Sequence, residues 1–229
     1  LEEGLKISAE RLLEIAMREL RKTQEEFQRV ARGLGGDDPL DAWRKTKRRH
    51  PAQGELVAAA EGQLKELATF VERNDLVSVM PGEGVAVGQT PEFFRWTFAS
   101  MWTPGPFETK AMPARYYLTD AEPDWSPERQ EEHLREFSFG ALWSVSIHEV
   151  YPGHFLHYQH LRRIESRLRK SLMFSSTSFV EGWAHYCEQM MVEQGFGADD
   201  SSVHLGQLAE ALVRLARLVV GIRLHADDL

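Results

Sequence analysis

His148, Glu149 and His154 stand within the seven-residue run HEVYPGH, residues 148–154. Two imidazoles and a carboxylate this close in sequence point to metal chemistry. A catalytic zinc takes about three protein ligands from His, Asp, Glu or Cys and keeps one position open for water. The usual helical arrangement sets the second histidine four residues after the first, about 40° around the axis. Here position 152 is proline and the next histidine is His154. At that spacing an unbroken helix would point the second ring about 120° away. Pro152 argues against an unbroken helix. It has no N–H, and its ring clashes with the carbonyl four residues back, that of His148. Gly153 follows and tolerates backbone conformations other residues avoid. A bulge at Pro152-Gly153 is expected to bring His154 back to the face of His148.

A third ligand is sought downstream, in FVEGWAHYCE, residues 179–188. Glu181 lies just inside a predicted helix start, with His185 four residues on along the same face. A carboxylate on a neighbouring helix completes many two-histidine, one-glutamate zinc sites. Glu149 is then the expected general base, taking a proton from a metal-activated water. Developing negative charge on the reacting carbonyl needs a further donor. Tyr151, Tyr158, Tyr186, Tyr116, Tyr117, Arg217 and His225 are the candidates, and sequence does not rank them. His157 and His160 read most simply as surface residues or as partners of the ligands. His185 reads as a group that orients a ligand. The lone Cys187 reads as a small core residue.

HEVYPGH followed by EGWAHYCE resembles the bacterial DUF885 family, whose signature is H-E-x-x-P-G-H and then E-G-W-A-x-Y. The resemblance implies a mainly α, zincin-like metallopeptidase domain with a minor β element. It implies His148, His154 and Glu181 as ligands of one Zn2+ and Glu149 as catalytic base. His157 stands where the family commonly has glutamine, and His185 where an acidic or polar residue is common. Either is a competitor for the metal. Members are usually much longer, so this chain is expected to be part of a longer one. The function expected is zinc-dependent hydrolysis of peptide or amide bonds, with a peptide or peptide-like substrate. The rivals are a non-catalytic metal- or ligand-binding domain, a hydrolase of non-peptide amides or esters, and a purely structural helical module.

The elements that must position these residues are mostly helical. Ser8 caps a helix with Leu12, Ala16, Leu20, Phe27 and Val30 at helical spacing, ending near the glycines at 33–36. Asp38-Pro39 opens a short helix, and residues 54–74 form a second long one. Residues 76–80 and 85–87 read as a short strand pair or an extended connector around Pro81-Gly82-Glu83-Gly84, and residues 114–118 as an edge strand. Ser126-Pro127 starts another helix. From Ser138 the chain reads as helix to about Lys170, interrupted at Pro152-Gly153. Ser178 opens the next helix, and Asp200 or Ser201 the last. A seam near residue 75 would separate an N-terminal helical layer, 1–75, from a metal-site region, 76–229, unless the two form one continuous domain.

Composition limits the partners. Of 229 residues, 42% are hydrophobic and 27% charged, enough for a real core. A net charge of -8 leaves no basic surplus to neutralise phosphates, which argues against nucleic-acid binding. No apolar run is long enough to span a bilayer. The segment LEEGLKISAERLL shows no signal peptide, and the compartment of the parent protein, cytoplasmic or exported, stays open. A single cysteine rules out an internal disulfide. Oligomeric state is not legible.

Overall fold

The computed structural model describes residues 6–35, 38–110 and 112–226. Gly36, in the glycine cluster expected to end the first helix, lies outside them. Ser8 accepts from the Arg11 N–H and starts α1 (Ala9–Gly33). Asp38 caps α2 (Pro39–Thr46) in the same way. The apolar stripe Leu56, Ala60, Leu64, Leu67 and Val71 forms the buried face of α3 (Leu56–Arg73).

A three-stranded sheet follows, in the order β1 (Val85–Gln89), β3 (Ala114–Leu118), β2 (Ala99–Trp102). Of the two readings of 76–87, the strand pair does not form; residues 76–80 are an irregular connector into β1. Instead β1 runs parallel to β3, Val87 opposite Tyr116, and β2 runs antiparallel to it, Met101 opposite Tyr116. Strand β3 is therefore central, not an edge. Val77 and Val79 spend their apolar side chains on the core rather than on a ladder.

The remaining helices are α4 (Pro127–Glu136), α5 (Phe139–Glu149), α6 (His154–Arg163), α7 (Arg167–Lys170), α8 (Thr177–Glu193) and α9 (Ser201–Ala226). Ser176, not Ser178, caps α8, accepting from the Phe179 N–H at 3.0 Å. The expected helix over 138–170 is thus three helices, broken at 150–153 and again near Ile164.

Helix α5 is the axis of the molecule. Gly140, Ala141, Leu142, Ser144, Ser146, Ile147 and His148 are all buried, so it is covered on nearly every side. It packs on α3, α8 and α9 and touches β2. Its approach to α9 is close: a Cβ on Gly206 would lie 2.5 Å from the Gly140 carbonyl carbon. Helix α9 also carries α1, where Phe27, Val30 and Ala31 meet Leu205 and Leu208. The main core joins Leu56 and Leu67 of α3 to Tyr116, Phe137, Leu142, Phe155 and Met191, so elements on both sides of residue 75 share it. No helix among the described residues is long and apolar enough to cross a membrane.

Candidate metal centre

The kink is built differently from a bulge inside one helix. Helix α5 ends at Glu149, and Val150 leaves helical geometry with φ -122° and ψ -75°. The Tyr151–Pro152 peptide is cis. The Gly153 N–H donates back to the Ile147 carbonyl at 3.0 Å, and His154 is the first residue of α6. Two helices meeting at a tight link absorb the two surplus residues. The link needs glycine: a Cβ at 153 would lie 1.8 Å from the His148 carbonyl oxygen. From α8, the Trp183 indole N–H donates to the Pro152 carbonyl at 3.1 Å and pins the link.

The result is that His148, from the last turn of α5, and His154, from the start of α6, face each other. Their ring centroids are 4.7 Å apart and nearly perpendicular. Glu181, in the second turn of α8, reaches both, with Oε2 3.5 Å from His148 Nε2 and Oε1 3.7 Å from His154 Nε2. One donor atom from each of the three lies within 4.8 Å of the others. Tetrahedral zinc with bonds of about 2.0–2.1 Å sets its donors roughly 3.3–3.4 Å apart. The donor set therefore suits a divalent ion, with donors up to 4.8 Å apart drawing in to reach that spacing. The Glu181 side chain is 58% exposed, so the site faces solvent on that side.

Behind His148 lies a buried polar cluster. The ring's Nδ1–H donates to Glu188 Oε1 at 2.7 Å, which leaves Nε2 facing Glu181. A carboxylate in this position fixes both the tautomer and the orientation of a metal-binding histidine. Glu188 is fully buried and also accepts from Ser144 Oγ at 2.8 Å and from Arg214 of α9. Burial would raise its pKa, but the hydrogen bond from His148, the nearby His185 ring and the charge of Arg214 outweigh burial and hold it at about 2. Burial likewise works against a charged His148, yet hydrogen bonds to Glu181 and Glu188 win, and it rises to about 9. His154 falls to about 4, through burial first and then repulsion from His148. Burial drives Glu149 up to about 7; His148 and Arg214 pull it down, Glu181 and Glu188 push it further up.

The other expected residues are placed as follows. His185 sits behind the ligands, 3.9 Å from Glu188, on the wall of a cleft of about 510 Å³ between α1, α8 and α9. His157 stacks on Tyr158 and meets the edge of Phe179. The His160 ring contacts the Ser78 carbonyl at 3.0 Å. Tyr151 packs against Phe155, and Tyr116 bonds Ser146 in the core. Tyr186 is half exposed beside Trp183. Tyr158, one turn after His154, feels the Glu181 charge, and its pKa is raised by burial and by that charge. Arg217 and His225 are exposed on α9. The residue by which α9 reaches the centre is Arg214, which the sequence reading missed. Nothing in its spacing sets it apart from Arg217 and Arg223 on the same helix.

The fold and the site define a mainly helical protein with a small mixed sheet and a candidate His–His–Glu metal centre. The chain belongs to the DUF885 family of bacterial proteins of unknown function, whose pattern matches residues 1–229. No curated protein matches it. Among solved structures it is similar to a candidate lipoprotein of unknown function from Shewanella oneidensis, with 26% identity and a TM-score of 0.83 over 97% of this chain and 41% of that one. A candidate lipoprotein from Colwellia psychrerythraea shares the fold at 20% identity, with a TM-score of 0.76 over 100% of this chain and 39% of that one. The chain thus spans about two fifths of the length of either.

Proposed function

We propose that this chain carries the centre of a zinc-dependent hydrolase that cleaves peptide or related amide bonds. The observation that carries the reading is the convergence of His148 Nε2, His154 Nε2 and Glu181 carboxylate oxygens, with the half-buried Glu149 next in sequence to His148. His148, His154 and Glu181 would hold the ion. When bound, zinc supplies a Lewis acid that polarises a carbonyl and eases deprotonation of water.

Glu149 has the task of moving the proton. Its pKa of about 7 without metal lies in the range where a carboxylate both accepts and returns a proton near neutrality. It takes a proton from the attacking water as the oxygen bonds to the carbonyl carbon. It returns that proton to the amine as the C–N bond breaks. Tyr158, on the same face of α6 as His154, is the tyrosine best placed to donate to the developing oxyanion, since it senses Glu181. The lipoprotein description of the Shewanella relative favours an exported parent.

Metal analysis of the purified protein is expected to give about one zinc per chain, lost in His148→Ala. Glu149→Gln should keep the zinc and lower turnover of a peptide library by about 10²–10⁴-fold. Zinc-loaded protein that cleaves simple esters but no peptide would redirect the reading to a non-peptide hydrolase. Undiminished turnover in Glu149→Gln would remove Glu149 as base.

A further inference from the structure

Arg214 lies 66 residues beyond His148, on another helix, yet the two share one carboxylate. Glu188 Oε1 receives the His148 Nδ1–H at 2.7 Å and Arg214 Nη2 at 3.0 Å. Its Oε2 receives Ser144 Oγ at 2.8 Å and Arg214 Nη1 at 3.1 Å. The guanidinium therefore grips both oxygens, the two-point geometry that fixes the plane of a carboxylate as well as its charge. Arg214 Nη2 also comes within 3.3 Å of His148 Nδ1. Both atoms carry hydrogens directed at Glu188, so that approach is a consequence of sharing an acceptor and not a bond.

We propose that Arg214 is a positioning residue for the metal centre, acting on His148 through Glu188. This rests on the reading of His148 as a ligand. Ser144 and His148 are one turn apart on α5, and Glu188 is on α8. Without Arg214, the carboxylate is held only by α5 groups. It is then free to turn about its own Cγ–Cδ bond while still satisfying Ser144. The guanidinium removes that freedom. With the carboxylate plane fixed, Nδ1–H has one direction to point, and Nε2 is held toward Glu181 and His154. A buried, unpaired carboxylate is also costly, so a fold that retains Glu188 needs a cation here. Lysine would supply charge without the fork. The geometry therefore separates a charge-balancing role from an orienting one.

The test is zinc affinity, measured on the purified chain by competition with a chromophoric chelator, together with the visible spectrum of the Co2+ form. Arg214→Met should weaken zinc binding by about 10–100-fold and shift the Co2+ bands, with helical circular dichroism retained. Arg214→Lys should recover only part of that loss. If Arg214→Met does not fold, Arg214→Lys decides alone: binding about tenfold weaker than wild type supports the role. Affinity equal to wild type in whichever variant folds would overturn it. A wild-type chain that takes up no zinc would overturn the metal reading, and this inference with it; tight binding by wild type and variants alike would overturn only the positioning role.

Discussion

Glu188 is fully buried and Glu149 half-buried beside the same centre, and their surroundings push them in opposite directions. Glu188 meets two side-chain donors and a guanidinium and stays ionised down to about pH 2; Glu149, with less to offset its desolvation, rises to about 7. Paired groups driven apart in this way take different roles: one holds, the other moves a proton. The same logic predicts how an ion competes with protons. In the metal-free protein His148, at about 9, carries a proton on both nitrogens near pH 8, while His154, at about 4, is already neutral. Glu181 is ionised, its pKa lowered chiefly by the His148 hydrogen bond. Zinc arriving at Nε2 must expel one proton, so apparent affinity should rise about tenfold per unit from pH 7 toward 9 and flatten above. Calorimetry at pH 8 in buffers of different ionisation enthalpy should report close to one proton released per ion; none released would contradict the protonation assigned to His148. The ligand types were legible from sequence, because His148, Glu149, His154 and Glu181 stand in two short motifs. Arg214 was not, because its role depends on how α9 crosses α5, which no local spacing encodes.

At the scale of the element, two glycines in those motifs make opposite demands. Gly153 closes the α5–α6 link against the His148 and Ile147 carbonyls, backbone atoms that have no room to yield. Gly182 sits exposed inside α8 with nothing within 4 Å of an added Cβ. Gly153→Ala should therefore force the link open. A cost of about 3 kcal/mol is expected from such overpacking, or roughly 6–12 °C in Tm for a chain of this size. Zinc should be lost with it, since His148 and His154 no longer face one another. Gly182→Ala should instead stabilise by about 0.5–1 kcal/mol, because alanine suits a helix interior better. Thermal unfolding of the pair checks both signs, and a milder effect at 153 than at 182 would refute the link geometry. Helices with side-chain caps, such as those at Ser8, Asp38 and Ser126, were legible because each cap acts within a few residues. The sheet was not. Its β1–β3 ladder joins Val85 to Ala114 in parallel, a pairing set by what α3 and α5 cover rather than by a turn signal.

Across the whole molecule, the three donors come from the end of α5, the start of α6 and the second turn of α8. Helix α9 braces α5 at the Gly140–Gly206 crossing and carries α1 on its other side. An ion at the donors would therefore add a tie between helices that already meet through side-chain packing, the Glu188 hydrogen bonds to Ser144 and His148, and the Trp183 bond to Pro152. Binding to the folded state alone stabilises it by RT ln(1 + [L]/Kd), about 2.7 kcal/mol at a hundredfold excess over Kd. For a domain of this length that is a rise in Tm of roughly 5–11 °C. Scanning calorimetry of chelator-treated protein, before and after one equivalent of zinc and then a buffered excess, should show it. His154→Ala should unfold at a temperature indifferent to zinc, because it removes the only donor from α6 in the triad. Arg214→Met should respond, but only at higher free zinc, since its donors remain while their orientation is loosened. A zinc response retained in full by His154→Ala would mean that the ion sits elsewhere, and the centre assigned to α5, α6 and α8 would fall.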